Sequence, residues 1–284
     1  TDADGSTAGG TLNITFDDDA PTATDEASQN VNEGAVAAGQ LDFVAGADGA
    51  SVTHIGTTIL VFGDDGFSQS VDIGGGVIRV RADGTYAFTA GNPTISPVAP
   101  TSAMFTITDG DGDTATARVN FQIVDANVPS AGISAASVDD DGLTGGNAAS
   151  VTGDLADANA DADNNEATFG GTLTLNFGGD GAGSVGFAAM NGLTGTVGQE
   201  TVTYTWNAGT NTLTATGPRG VLFTVEVTNP ATGAYTVTLI DNVRHAQGPN
   251  NENDAGVALN YTVTDADGST AGGTLNITFD DDAP

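Results

Sequence analysis

Apolar and polar residues alternate with a period of two along most of this chain, and the alternation predicts strands. In Thr11–Phe16, Leu12, Ile14 and Phe16 fall on one side and Thr11, Asn13 and Thr15 on the other. The same pattern fills Val119–Ile123, Thr172–Phe177, Thr201–Trp206, Val221–Val227, Tyr235–Leu239 and Leu275–Phe279. Threonine and valine dominate these runs, and both suit a half-buried pleated surface. Turn signals separate them: Gly63-Asp64-Asp65-Gly66, Ala82-Asp83-Gly84, Asn229-Pro230 and Thr232-Gly233. No amphipathic helical pattern of useful length interrupts the series. Short strands, one apolar face and Gly/Asp/Asn turns predict an all-β protein of antiparallel β-sandwiches.

The strands are organised by a repeat. Residues 264–284, TDADGSTAGGTLNITFDDDAP, reproduce residues 1–21 letter for letter, 263 residues apart. A diverged copy, TDGDGDTATARVNFQIVDANVP, spans Thr108–Pro129. Each copy reads as an Asp-rich turn, an alternating strand, and acidic residues running into a proline. The repeat divides the chain into 1–21, the terminal strand of a preceding repeat, a shorter module 22–129 and a longer module 130–284. Each full module carries a Gly-x-Tyr strand before its ending, Gly84-Thr85-Tyr86 and Gly233-Ala234-Tyr235. The two modules are therefore expected to share one sandwich plan. Leu12, Ile14 and Phe16 would leave segment 1–21 with an apolar face and no parent sheet, so self-association by strand addition is a further expectation.

Charge narrows the function. Five Lys+Arg stand against 37 Asp+Glu in 284 residues, a formal charge of −32, and all five cations are arginine. Nucleic acid and anionic lipid require a basic footprint, which this chain lacks. Cations are the expected partners. There is no cysteine, so neither a disulfide nor a thiolate metal site stabilises the modules. No apolar run reaches membrane-spanning length, and no signal peptide is visible.

The acidic residues gather at module ends and turns. Asp2/Asp4, Asp109/Asp111/Asp113 and Asp265/Asp267 mark the repeated turn. Asp17, Asp18 and Asp19, Asp125, and Asp280, Asp281 and Asp282 precede the terminal prolines. Asp25, Glu26 and Glu33, and Asp139, Asp140 and Asp141, open the modules, while Asp154/Asp157/Asp161/Asp163/Glu166 and Glu252/Asp254 lie inside the longer one. Calcium takes six to eight hard oxygens from flexible loops, and these turns offer carboxylates without competing nitrogen or sulfur. Aspartate in an Asp-Gly turn also caps its own backbone and keeps a protein soluble. Three adjacent carboxylates repel one another unless a cation intervenes, so bound Ca2+ is the expected cofactor. The expected pairings are Asp17–Asp19 with the start of the next module, and Asp125 with Asp139–Asp141. An EF-hand is excluded: counting from Asp109, Thr114 stands where Gly belongs and Asn120 where Glu belongs.

Catalytic constellations are weak. His54 and His245 lie in different modules, no lysine exists, and no Ser/His/Asp arrangement supplies a nucleophile with a base. Carboxylate pairs for glycoside hydrolysis are uninformative at this Asp/Glu abundance. Trp206 closes an alternating strand and reads as packing. No enzymatic role is expected; a calcium-dependent carbohydrate-binding module is the alternative, against which the 6% aromatic content weighs.

The ending from Val263 through Asp265-Ala266-Asp267-Gly268 to Asp280-Asp281-Asp282-Ala283-Pro284, preceded by Asn250-Asn251-Glu252-Asn253-Asp254, resembles repeats of giant bacterial RTX adhesins exported by type I secretion. The shorter module, with Val31-Asn32-Glu33-Gly34 and Ala82-Asp83-Gly84-Thr85-Tyr86-Ala87-Phe88, resembles the VCBS or cadherin-like repeats of the same proteins. The resemblance implies tandem Ig-like or cadherin-like modules in an extended array on the bacterial cell surface. It implies calcium-stiffened joints, neighbouring repeats as partners, and a role in cell adhesion and biofilm formation.

Overall fold

The computed structural model describes residues 1–15, 17–93, 100–140, 142–144, 166–246 and 253–280. Phe16, Asp141, Asp281 and Asp282 lie outside the described residues, as do Asp154, Asp157, Asp161, Asp163 and Glu252. The chain divides into two compact units, unit 1 (Thr1–Asn92 with Pro97–Val124) and unit 2 (Asp125–Pro284 with Pro93–Ser96). Each is described by itself.

Unit 1 contains β1 (Thr22–Ala23), β2 (Gln29–Asn32), β3 (Val36–Gln40), β4 (Phe43–Val44), β5 (Ala50–Ile55), β6 (Thr58–Ile59), β7 (Val71–Asp72), β8 (Gly76–Val80), β9 (Thr85–Ala90), β10 (Thr101–Asp109) and β11 (Thr114–Val124). One sheet runs β2-β11-β10-β5-β6 and the other β3-β9-β8-β7, with β1 and β4 paired apart. The alternation expected at Val119–Ile123 falls inside β11, where Val119, Phe121 and Ile123 are buried. They meet Ile78, Val80 and Phe88 from the opposing sheet in one apolar core. Phe88 and Phe121 stack with ring centroids 4.0 Å apart, joining β9 to β11 across the sandwich. Burying each such side chain contributes about 1.5–3 kcal/mol.

Unit 2 contains β12 (Ser130–Ala131), β13 (Ile133–Asp139), β14 (Thr168–Thr172), β15 (Leu175–Asn176), β16 (Ala182–Gly186), β17 (Thr194–Val197), β18 (Glu200–Asn207), β19 (Thr212–Gly217), β20 (Gly220–Asn229), β21 (Ala234–Leu239), β22 (Ala255–Asp265) and β23 (Thr270–Asp280), plus one 3-10 turn at Ala188–Met190. Its sheets run β14-β21-β20-β19-β18-β17 and β13-β23-β22-β16. Tyr204, Phe223, Tyr235, Tyr261, Leu275 and Phe279 fill the core between them. The run Thr172–Phe177, expected as one strand, is broken at Leu173 and Thr174. Leu173 is buried, and its N–H donates to the Gly233 carbonyl, just before β21 of the six-stranded sheet. The Thr174 carbonyl instead accepts from Gly132, so the chain changes sheets there and β15 pairs with β12.

The units share one plan. In each, the second strand lies beside the closing strand of the unit, β2 beside β11 and β13 beside β23, and both pairings are parallel. The closing strand then forms an antiparallel hairpin with its predecessor, β10 or β22. The Gly-x-Tyr strands β9 and β21 occupy matching places in the second sheet, paired with β3 and β14. The parallel pairs qualify the antiparallel expectation. Side-chain alternation is the same in either direction, so periodicity does not report it.

All four tyrosines sit over a glycine of a neighbouring strand: Tyr86 over Gly39, Tyr204 over Gly195, Tyr235 over Gly171 and Tyr261 over Gly273. At each glycine an added Cβ would fall on the ring. The Tyr261 hydroxyl lies within hydrogen-bond distance of the carbonyls of Gly132 (3.0 Å) and Thr174 (2.6 Å) and shares its one proton between them, tying the ring across the change of sheet.

Residues 11–15 of the N-terminal copy are not a strand in this chain, contrary to the expectation. Residues 1–15 and 17–21 join no ladder, and Leu12 and Ile14 are 82% and 64% exposed. The matching Leu275 and Ile277 are 0% and 1% exposed in β23. The letters are identical; the partners differ. β23 is held on one side by β13 and on the other by β22, and an isolated strand is not stable in water without such neighbours.

Candidate calcium-binding loops

In unit 2 the turn joining β22 to β23 organises its own acidic residues. Asp265 Oδ1 accepts from the backbone N–H of Gly268 (3.0 Å) and Ser269 (2.8 Å), and Asp267 Oδ1 accepts from Ser269 N–H (2.9 Å). Ser269 Oγ donates to Asp125 Oδ2 at 2.7 Å, fastening the start of the unit to this turn. The 178–181 loop closes the arrangement. Gly178 adopts φ +79° against the Asn127 carbonyl, where no side chain fits. The Gly181 carbonyl accepts from Ala266 N–H (3.1 Å), and Asn127 Nδ2 donates to Asp180 Oδ1 (3.4 Å).

Carboxylate oxygens of Asp125, Asp180 and Asp267 consequently lie within 4.8 Å of one another. Asp180 Oδ2 and Asp265 Oδ2 are buried without a hydrogen-bond partner among the described residues. Burial, then the close approach and negative charge of the Asp267 carboxylate, push the Asp265 carboxyl above the usual Asp range, against the pull of the Gly268 and Ser269 N–H groups. An unsatisfied buried acceptor costs about 1–3 kcal/mol, and more when charged. A hard divalent cation relieves both the orphaned oxygens and the repulsion.

Unit 1 repeats the arrangement in more open form. Asp109 Oδ1 caps the β10–β11 turn, accepting from Gly112 N–H (3.0 Å) and Asp113 N–H (2.7 Å). Asp18, Asp111 and Asp113 bring carboxylate oxygens within 4.8 Å of one another, all at exposed residues. Asp111 is raised by its hydrogen bond to Asp109 and by the charges of Asp109 and Asp18. Burial also raises Asp109, but hydrogen bonds from Asp111, Gly112 and Asp113 outweigh it and leave Asp109 lowered. Asp19 Oδ2 accepts from Ala47 N–H (2.9 Å), and Asp17 is exposed. In both units an acidic segment preceding the sandwich meets the Asp-rich turn of the closing hairpin.

Two other expected groupings differ. Asp25 and Glu26 do not join Asp17–Asp19. Asp25 Oδ1 accepts from Arg118 N–H (2.7 Å), Glu26 N–H donates to the Arg118 carbonyl (2.7 Å), and Glu26 Oε1 accepts from Asp42 N–H (2.5 Å). These two carboxylates lash the opening segment to mid-β11 and act as backbone caps. Glu33 is buried after β2, its N–H donating to the Val124 carbonyl (3.0 Å). Asp125 does not meet Asp139 or Asp140. Parallel pairing puts Asp139 opposite Asp280, at the far end of β23 from Ser269, about 35 Å away for an extended strand of that length. Asp139, Asp140 and Asp280 are all buried there and form the second acidic pole of unit 2.

Asp180 and Ser269 carry no distinguishing signal in the sequence. Gly178-Gly179-Asp180-Gly181 is one Asp-Gly turn among many in this chain, and only the tertiary fold brings it to Asp267. Trp206 packs 6.2 Å from Phe187 between ring centroids, a packing role as expected. His54 Nδ1 lies 2.9 Å from Thr53 Oγ1 and His245 Nδ1 2.8 Å from the Asn253 carbonyl.

Fold and loops together define an all-β protein of two β-sandwich units with acidic sites at the turns of their closing hairpins. Residues 137–278, half of the chain, match the family described as Domain of unknown function (DUF5801), and the chain belongs to that family. No curated protein matches it. Among solved structures it is similar to protocadherin gamma B7 extracellular cadherin domains 1–4, at 14% identity and TM-score 0.28, covering 92% of this chain and 51% of that one. Mouse clustered PcdhgC3 EC1-3 gives 12% identity, coverage of 92% and 68%, and TM-score 0.26. The human desmocollin-1 ectodomain gives 12%, coverage of 93% and 41%, and TM-score 0.27. The chain thus spans about half of the first of these structures. At such scores the fold rests on the sheet orders above.

Proposed function

We propose that this chain is a structural, non-catalytic segment of an extracellular adhesion protein whose β-sandwich modules are stiffened by calcium. The observation that carries the reading is the cluster of Asp125, Asp180 and Asp267 carboxylates on the turn that Asp265 caps, where buried carboxylate oxygens of Asp180 and Asp265 lack hydrogen-bond partners among the described residues. Calcium at Asp125, the first residue of the main segment of unit 2, would tie the chain there to the β22–β23 turn and restrict its swing. A second ion at Asp18, Asp111 and Asp113 would do the same at the start of unit 1. The resemblance of the repeated ending to bacterial RTX adhesin repeats supports a bacterial cell-surface location. It also supports type I secretion, neighbouring repeats of the same chain as partners, and a part in adhesion and biofilm formation.

Isothermal titration with calcium tests the reading on the wild-type chain and on D180N/D267N. Binding that is lost from one class of sites in the variant supports it. Identical titrations, or no heat in either, would overturn it.

A further inference from the structure

Asp180 reaches Asp125 and Asp267 from a loop that is mostly glycine, Gly178-Gly179-Asp180-Gly181-Ala182-Gly183. Three of those glycines press backbone against a wall of the site. On one side, a Cβ on Gly178 would fall on the Asn127 carbonyl oxygen, and one on Gly179 would fall on the Asn127 side chain. On the other side, a Cβ on Gly183 would fall on the Thr264 and Asp265 carbonyl oxygens at the end of β22. Gly183 sits at the shift in register between β16 and β22. Between the two walls, Asn127 Nδ2 donates to Asp180 Oδ1 (3.4 Å) and Ala266 N–H donates to the Gly181 carbonyl (3.1 Å). Other glycines are used differently. Gly192 has nearly the same backbone angle as Gly178, φ +80° against +79°, but open space where its Cβ would stand. Turn geometry alone explains Gly192; it does not explain Gly178.

We propose that Gly178, Gly179 and Gly183 are positioning residues for the cation site: their bare backbone lets the loop close on both walls and so fixes Asp180 against Asp125 and Asp267. The proposal rests on the cation reading of that cluster. Asp125 is already tied to the β22–β23 turn through Ser269 Oγ, so the loop decides whether the third carboxylate is in place. Calcium affinity follows the charge and the rigidity of the ligand set, and groups that hold a ligand from behind govern it nearly as strongly as the ligands. A methyl group at 178 forces the loop off the Asn127 wall and carries Asp180 with it, although every carboxylate remains. The cation then takes water in place of Asp180.

Terbium, a luminescent stand-in for calcium, reads both affinity and bound water in the full chain. All arms carry D111N/D113N, which removes the acidic cluster of unit 1. G178A, D180N and N127A are compared with this parent and with G192A, which bears the same backbone strain without the contact. N127A only deletes atoms, so it decides the matter if G178A fails to fold; urea unfolding without metal shows which variants fold. Terbium affinity is expected to fall about 10-fold or more in G178A and D180N, and measurably in N127A. Luminescence lifetimes in H2O and D2O should show added bound water in each, while G192A matches the parent. Parent-like binding in folded G178A and in N127A, with D180N impaired, would overturn the positioning role and leave the cation reading standing. Equal losses in G192A and G178A would also overturn it, by reducing the effect to backbone strain. A parent that binds no terbium would sink the cation reading and this inference together.

Discussion

Gly273→Ala tests the packing logic that recurs at every tyrosine of the chain. Gly273 pairs directly with Tyr261, and a Cβ there would fall on the phenol ring. The ring has little freedom to withdraw, because its hydroxyl is bonded to the carbonyls of Gly132 and Thr174 and its edge meets Phe187 at 6.1 Å. Overpacking of this kind costs about 1–3 kcal/mol. Displacing the hydroxyl adds about 0.5–1.5 kcal/mol for the one shared hydrogen bond lost, although both carbonyls keep a second donor, Thr274 N–H for Gly132 and Gly132 N–H for Thr174. The expected loss is therefore about 2–4 kcal/mol, which for a unit of this size lowers Tm by roughly 5–15 °C. Urea unfolding of wild type, G273A, Y261A and the double variant measures it. With the ring gone the alanine methyl has room, so the double variant should match Y261A alone. A neutral G273A, or costs that simply add, would refute the steric account.

Three further outcomes follow from other parts of the structure. Glu200, 7% exposed, holds Arg219 in a two-pronged pair at 2.9 and 2.7 Å. Arg219 keeps Asp241 and Asn242 after E200Q, so the loss in urea unfolding should be about 2 kcal/mol, below the 3–5 kcal/mol of a buried pair left uncompensated. Leu275→Ala should cost about 2–5 kcal/mol while Leu12→Ala, the same change in the same sequence, costs about nothing; equal costs in differential scanning calorimetry would contradict the placement of the two copies. In calcium-free protein the raised Asp265 carboxyl binds its proton more tightly folded than unfolded. Its contribution is then most favourable at or below the ordinary Asp value and is lost as pH rises through the folded one. Between mild acid and neutrality, D265N should show a smaller fall in calcium-free Tm than wild type; a steeper fall would contradict this assignment.

Much of the fold was legible because half-buried strands alternate. Val119–Ile123, Thr201–Trp206, Val221–Val227, Tyr235–Leu239 and Leu275–Phe279 all fall within strands. The Gly-x-Tyr strands marked a shared plan that the sheet orders display. Strand direction was hidden, since β13 reads the same whether it lies parallel or antiparallel to β23. The site was legible only in its local part: the Asp109–Asp113 and Asp265–Asp267 turns announce themselves by spacing. Asp180 does not, because its role depends on a contact made far along the chain. Asp25 and Glu26 resembled site residues by charge but serve as backbone caps, a distinction set by the position of Arg118. Segment 1–21 shows the limit most directly, for identical letters give a buried strand in one place and an exposed segment in the other.

The most direct test of the central claim is thermal unfolding of unit 2 in the intact chain, with and without calcium, in wild type and in D180N/D267N. Calcium at a hundred times its dissociation constant stabilises by about 2.7 kcal/mol, a rise in Tm of roughly 5–10 °C for a unit of this size. The account predicts that rise in wild type and its loss in the variant. An unchanged Tm in wild type, or an undiminished rise in the variant, would contradict calcium binding at Asp125, Asp180, Asp265 and Asp267.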